Sequence, residues 1–459
     1  MTRIGIFVKI SREKYEVFSG KGSIMKIKTV TVLGANGTMG KNVAGIFASF
    51  GDAKVYMLSR EMEKSQRAAL DAAASVKADS VLKNLIPGDY SLLSSCVGES
   101  DLVFESLAEN MDVKLRFTRE VAKALRPDAI AASGTSGLSV TALAECFPPA
   151  LRSRFFGVHL FNPPYSMSLC EVIPTRFSDP DLLTDLKAYL REPLLRTVVQ
   201  VKDSPAFLGN RIGFQFINEA LQTAEKKQDN GGIDYLDAIL APCTGRSMAP
   251  LATSDFVGLD VHQAIVDNLY QNTDDYARAT FRMPGFAREL VKQGKLGRKA
   301  GCGLFKMEKF DGGLRRLTVY DIRGGTYRER IPYVFPFKEA MLRNLRVGNY
   351  EKAFQELLSN HSPEACLCVE FLLKYVVYAL SAAQTVGYDL QDADDVMAAG
   401  YNWCPPLAMM DALSTVADFP SLLRERLEPS LLGAVDVEKL MSLVRPSRYD
   451  YRLYFKAIG

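Results

Sequence analysis

From Lys26 onward the chain alternates short apolar runs with longer stretches in which apolar residues recur at helical spacing. The run TVTVLG is followed by helical KNVAGIFASFG, strand-like KVYMLS, a long polar helical region reaching Ser80, strand-like DLVFESL, helical VKLRFTREVAKALR and strand-like AIAAS. Strand and helix patterns in strict alternation predict βαβ units, and so a parallel sheet covered by helices. The pattern changes at Asp203-Ser204-Pro205. A serine able to cap and a proline suited to the first helical turn predict a helix start there, and the amphipathic pattern carries that helix to about Lys227. The chain then reads as helical to about Arg288, as strand and turn between Gly301 and Pro336, and as helical again from about Lys338.

The expected organisation is an N-terminal extension (residues 1–24), a sheet domain (25–200), a first helical domain (201–309), a linker with a hairpin (310–337) and a second helical domain (338–459). A compact domain begins naturally at Met25, so the residues before it read as an added strand or an upstream start. The two helical regions contain matching segments, IDYLDAILAPCTGRSMAPLATSD (233–255) and QDADDVMAAGYNWCPPLAMMD (391–411). Each sets an aspartate early in a short helix, then a turn, then PLAxxD, which predicts a duplication with Asp255 and Asp411 in equivalent places.

Composition narrows the chemistry. An apolar content of 47% and a charged content of 24% are those of an ordinary globular protein. A net charge of +3 without blocks of like charge argues against nucleic acid as a partner. Eight cysteines with no CxxC pair read as reduced, mostly buried thiols, and three histidines, His159, His262 and His361, are too few for a histidine-rich metal centre. No apolar run is read as approaching the roughly 20 residues of a membrane span, and the N-terminus lacks a secretory pattern. A cytoplasmic location without membrane or metal is expected.

GANGTMG sits where a strand meets a helix, the context that gives a glycine pattern meaning as a dinucleotide fingerprint. Gly34, Gly37 and Gly40, with Thr38 and Met39 between the last two, let a pyrophosphate approach a helix N-terminus, although the first glycine stands one residue further away than in GxGxxG. The second strand ends in Ser59-Arg60, where a carboxylate would hold the ribose hydroxyls of NAD. A hydroxyl followed by a guanidinium suits a 2′-phosphate, which makes NADP an alternative to NAD.

Downstream lies FGVHLFNPPYSMSLCEVIP, in which His159 ends one apolar strand and Glu171 lies in the next. If NPPYSM turns the chain back, the carboxylate can hold one imidazole nitrogen and leave the other to deprotonate a hydroxyl. A lone histidine after an apolar strand is more often a satisfied core residue; the carboxylate and the glycine turn upstream change the odds. A base for O–H and a nucleotide for hydride are the two requirements for oxidising a secondary alcohol.

The chain resembles the 3-hydroxyacyl-CoA dehydrogenase family in its long form, nearly throughout from Lys26. The likeness rests on VLGANGTMG, FESLAENMDVK, SGTSGLSV, FGVHLFNPP with CEVIP, KDSPAFLGNR and LGRKAGCGLF. It implies a Rossmann-type α/β domain followed by two all-α domains of the 6-phosphogluconate-dehydrogenase C-terminal type. It also implies reversible NAD(P)-dependent oxidation of an L-3-hydroxyacyl-CoA in fatty-acid metabolism. By the same resemblance His159 is the base and Glu171 its partner, Ser136 and Asn210 hold the substrate oxygen, and Glu109, Lys114, Asn162 and Lys299 line the cofactor. Short-form relatives dimerise through the helical domain, so a duplicated copy could fill the partner's place within one chain, giving a monomer or loose dimer. The sequence departs from the family at Gly134, where asparagine is usual, at Ser59 and in the glycine loop. Two other readings stand beside this one: NADPH-dependent reduction of a 3-ketoacyl thioester, and a catalytically silent nucleotide-binding scaffold.

Overall fold

The structure is a computed structural model that describes residues 25–309 and 315–455, so the expected N-terminal extension lies outside the described residues. Eight strands, β1 (Thr29–Leu33), β2 (Lys54–Ser59), β3 (Leu85–Asp89), β4 (Leu102–Glu105), β5 (Ile130–Ser133), β6 (Phe155–Leu160), β7 (Leu169–Ile173) and β8 (Thr197–Gln200), form one sheet. Its order is β3-β2-β1-β4-β5-β6-β7-β8, parallel throughout except where β6 meets β7. Side chains alternate across it: Val30, Val32, Leu102 and Phe104 enter the core beneath α1 (Thr38–Ser49) and α2 (Met62–Val76). Leu33 and Val103 face the opposite core with α3 (Leu93–Glu99), α4 (Met111–Ala124) and α5 (Val140–Ala144). With helices on both faces, β4 to β7 are buried at every residue, which is why they read as continuous apolar runs. The edge strand β3, LIPGD, escapes that pattern because Pro87 and Gly88 interrupt it.

After α6 (Pro180–Arg191) and β8 the chain enters the first helical domain: α7 (Gly209–Lys226), α8 (Ile233–Leu240), α9 (Pro250–Val257), α10 (Leu259–Asn272) and α11 (Gly285–Lys292). The helix expected to open at Pro205 starts at Gly209 instead. Ala206 and Phe207 take left-handed conformations, φ 57° and 53°, and turn the chain before the helix begins. The expected linker is also more than a tether. Strands β9 (Phe305–Lys309), β10 (Arg315–Tyr320) and β11 (Tyr327–Glu329) form an antiparallel sheet in the order β11-β10-β9. Arg328 fastens it to the helical domain, reaching Asp234 at 2.7 Å and the Gly231 carbonyl at 2.7 Å.

The second helical domain contains α12 (Pro336–Arg346), α13 (Tyr350–Leu358), α14 (Pro363–Val386), α15 (Gln391–Tyr401) and α16 (Pro406–Ser414), then short helices to Phe455. Contrary to the sequence reading, α14 is long and apolar enough to cross a membrane, with a mean hydropathy of 1.7. However, 72% of that apolar window is buried in the protein, where α14 packs against α7 and α16 as a core helix.

The two matching segments make similar hydrogen bonds. Asp237 accepts from the backbone N–H of Leu251 and Ala252 at the start of α9, and Asp394 accepts from Leu407 at the start of α16. Burial pushes both carboxyls up to about 7. Asp255 receives Leu304 N–H, and Asp411 receives Ser447 N–H. Arg246 and Trp403, at matching places in the two segments, pair antiparallel with each other, as equivalent positions do across a twofold axis. The Arg246 guanidinium lies 3.9 Å from the ring centre of Phe216, 4.5 Å from Trp403 and 4.7 Å from Tyr375.

Candidate active site

The antiparallel register of β6 and β7 sets His159 directly opposite Glu171, so both side chains leave the same face of the sheet. His159 Nδ1 lies 2.8 Å from Glu171 Oε2, and the residues are 5% and 0% exposed. The imidazole is bracketed by Phe161 and Phe207, with ring centres 4.7 and 5.6 Å away. With Nδ1 committed to the carboxylate, Nε2 is the nitrogen left for a substrate hydroxyl. The other carboxylate oxygen, Oε1, accepts from the backbone N–H of Leu208 at 3.0 Å and Gly209 at 2.8 Å. Glu171 therefore caps α7, whose own N-cap residue Leu208 supplies no side-chain bond. The left-handed turn at Ala206-Phe207 is what aims those two donors at the site.

That turn also gathers the other site residues. Asn210 sits in the first turn of α7, 7% exposed. Ser136 lies on the loop after β5, and the close approach of Gly137 to Ala206 packs that loop on the turn, where a Cβ at Gly137 would fall 2.6 Å from Ala206 N. Asp203 ties the same pieces together by accepting from Val140 and Thr141 N–H at the start of α5. Glu109 Oε1 accepts from Thr135 Oγ1 at 2.5 Å and Ser136 N–H at 2.8 Å, fixing the loop from the other side. Lys114, expected at the cofactor, is instead fully buried, with Nζ 2.8 Å from Glu105 and 3.4 Å from Glu109. At Gly134, where asparagine was expected from the resemblance, the Phe104 ring stands 2.8 Å from where a Cβ would be.

The glycine turn fits a dinucleotide. Gly34 has φ 74° and no room for a Cβ, which would fall 2.3 Å from Ser106 O. Gly40 lies as close to Gly34 O, allowing α1 to pack tightly on the turn. Gly37 is the N-cap of α1, where Thr38 and Met39 follow, with no side-chain cap and no acidic residue in the first turn, so the helix presents its N–H groups to a pyrophosphate. The ribose end departs from expectation. Ser59 is fully buried, and its hydroxyl donates to Glu61 O and accepts from Ser65 Oγ, both at 2.8 Å, so it is turned away from a ligand. Arg60 is exposed there, as is Glu61 after it, and the Arg60 charge reaches Tyr90, as does that of Arg116. Asn162 is exposed just beyond β6, while Lys299 is held 2.6 Å from Asp260 in the first helical domain.

One residue beside the pair was not anticipated. Tyr401, at the end of α15, donates to Asn210 Oδ1 at 3.1 Å. No local motif marks it, since the two positions are 191 residues apart.

The 3-hydroxyacyl-CoA dehydrogenase NAD-binding domain matches residues 29–204, and the C-terminal domain of the same enzymes matches 207–307. The chain belongs to the 3-hydroxyacyl-CoA dehydrogenase family. The boundary between the two matches falls in the turn that carries Ala206. A probable 3-hydroxyacyl-CoA dehydrogenase of Deinococcus radiodurans is 31% identical over 62% of this chain and 84% of its own length. Another, from Bacillus subtilis, is 29% identical over 75% of this chain but only 44% of its own length, so the chain spans about half of that relative. The 3-hydroxybutyryl-CoA dehydrogenase structure from Escherichia coli has a TM-score of 0.66 over 91% of this chain and 99% of its own, at 22% identity, which shows the shared fold. Within the family frame the sheet domain is a nicotinamide-nucleotide-binding domain, followed by two helical domains.

Proposed function

We propose that the protein catalyses the reversible, nicotinamide-linked oxidation of an L-3-hydroxyacyl-CoA to the 3-ketoacyl-CoA. The observation that carries this reading is the buried His159–Glu171 pair at 2.8 Å, with Glu171 also seated on the N-terminus of α7. A dinucleotide held through its pyrophosphate at the Gly34 turn and the N-terminus of α1 would supply the hydride acceptor for C3. His159 Nε2 takes the hydroxyl proton as C3–O becomes a carbonyl, and Glu171 steadies the imidazolium that results. In this reading Asn210 and Ser136 donate to the substrate oxygen as its charge changes. Fatty-acid metabolism is the setting that this chemistry serves.

A second reading, reduction of a 3-ketoacyl thioester with NADPH, is favoured by the ribose end. There Ser59 is turned inward while Arg60 stays exposed, an arrangement suited to a 2′-phosphate. The intact base and oxygen-binding residues weigh against a silent scaffold. Acetoacetyl-CoA reduction should be followed with NADH and NADPH in parallel, in the wild type and in His159→Gln. Removal of the base should lower kcat roughly 10³-fold. Absence of turnover with either nucleotide would refute the enzymatic reading, and strong preference for NADH would refute a phosphate role for Arg60.

A further inference from the structure

We infer that Tyr401, supplied by the second helical domain, is a positioning residue that fixes the Asn210 carboxamide for the reaction. This rests on the function proposed above. The Tyr401 hydroxyl donates to Asn210 Oδ1 at 3.1 Å. A carboxamide whose oxygen is held in this way has its Nδ2 donors turned to the other side, where a substrate carbonyl needs them. Without that bond the amide can present either end, and the oxygen end would repel a developing oxyanion.

The surroundings are built to keep the ring in place. Tyr401 packs edge-on against Phe161, with ring centres 5.9 Å apart, and against Trp403 at 5.1 Å. Phe161 is the same ring that lies against His159. One turn along α7 from Asn210, Gly213 leaves the space that Tyr401 fills: a Cβ there would fall 2.3 Å from the phenol ring. The preceding residue, Gly400, approaches β7 closely, with its missing Cβ 2.5 Å from Leu169. Burial and the nearby Glu171 carboxylate push the phenol far above its ordinary range, so the hydroxyl keeps its proton. The second helical domain thus reaches the catalytic site through the Tyr401 hydroxyl on Asn210 and the Tyr401 ring on Phe161.

The test is Tyr401→Phe, which keeps the ring packing and removes the bond. The expected result is a fall in kcat of about tenfold with KM nearly unchanged, because a misoriented donor harms the transition state more than substrate binding. In the double variant with Asn210→Ala, the tyrosine change should cost nothing further. Wild-type kcat in Tyr401→Phe, or additive losses in the double variant, would overturn the inference. A second readout does not depend on turnover. In a crystal structure of Tyr401→Phe the Asn210 carboxamide should leave its wild-type rotamer, and an unchanged rotamer would count against the proposal. Should the wild type fail to reduce acetoacetyl-CoA, the proposed reaction falls while the rotamer comparison still decides the role of Tyr401.

Discussion

Each helical domain has a Ser-Pro step before its long central helix, and the two copies use it differently. In the second, Ser362 caps α14, accepting Ala365 N–H at 3.2 Å, and Pro363 opens the first turn. In the first, Ser204-Pro205 opens a left-handed turn, α7 begins only at Gly209, and its donors are taken by Glu171 from the sheet domain. The same local signal gives a self-sufficient helix in one copy and a helix wired to the active site in the other. Giving up a private cap couples the fold of the first helical domain to the carboxylate that steadies the base.

Glu171→Gln is the hardest test of that difference. It should lower kcat roughly 10³-fold, since a neutral amide cannot support an imidazolium, and it should also weaken α7. A variant with wild-type kcat would break the link between cap and catalysis.

The next effect separates the copies by acidity. His262, fully buried between Ser254 and Asn218 in the first domain, has its pKa pushed down to about 3 by burial, whereas His361 in the second is exposed. A folded pKa below the unfolded value of 6.5 means that His262 contributes its stability above pH 6.5 and loses it as pH falls towards 3. The slope approaches about 1.4 kcal/mol per pH unit. Asp237 and Asp394, raised to about 7, act in the opposite sense, but they cancel in the difference between wild type and His262→Gln. Urea unfolding at pH 7 and pH 5 should therefore show that difference shrinking with acid; a constant gap would contradict it.

The smallest effect belongs to the second copy. Ser362→Ala should cost about 1 kcal/mol in unfolding free energy and leave kcat unchanged. Lost activity would mean that this cap also reaches the site. Light scattering bears on the copies as a pair: a single-chain mass fits the second domain standing in a partner's place, and an obligate dimer through the first domain would exclude it.

Much of this was legible in the sequence because its causes are local. The alternation around β4 to β6 follows from burial on both faces, and the NPPYSM segment between two apolar strands was enough to set His159 against Glu171. What stayed hidden depends on backbone or on distance. Ala206 and Phe207 are unlikely candidates for positive φ, so the cap made by Glu171 had no sequence signal. Ser59 read as a ligand because it stands where a ligand belongs, but strand geometry points its hydroxyl into the Ser65 network. Lys114 read as a cofactor lysine, and only the fold brings Glu105 and Glu109 to it. Tyr401 needed the docking of a separate domain.

The pairing of Arg246 with Trp403 has a consequence for symmetry. In a true twofold dimer a residue beside the axis meets itself. Here the two sides have become different, a cation on one and an indole on the other, 4.5 Å apart. A buried Arg246 facing a second Arg246 would find no ring to receive it, so the contact works between unlike sides and not between like ones.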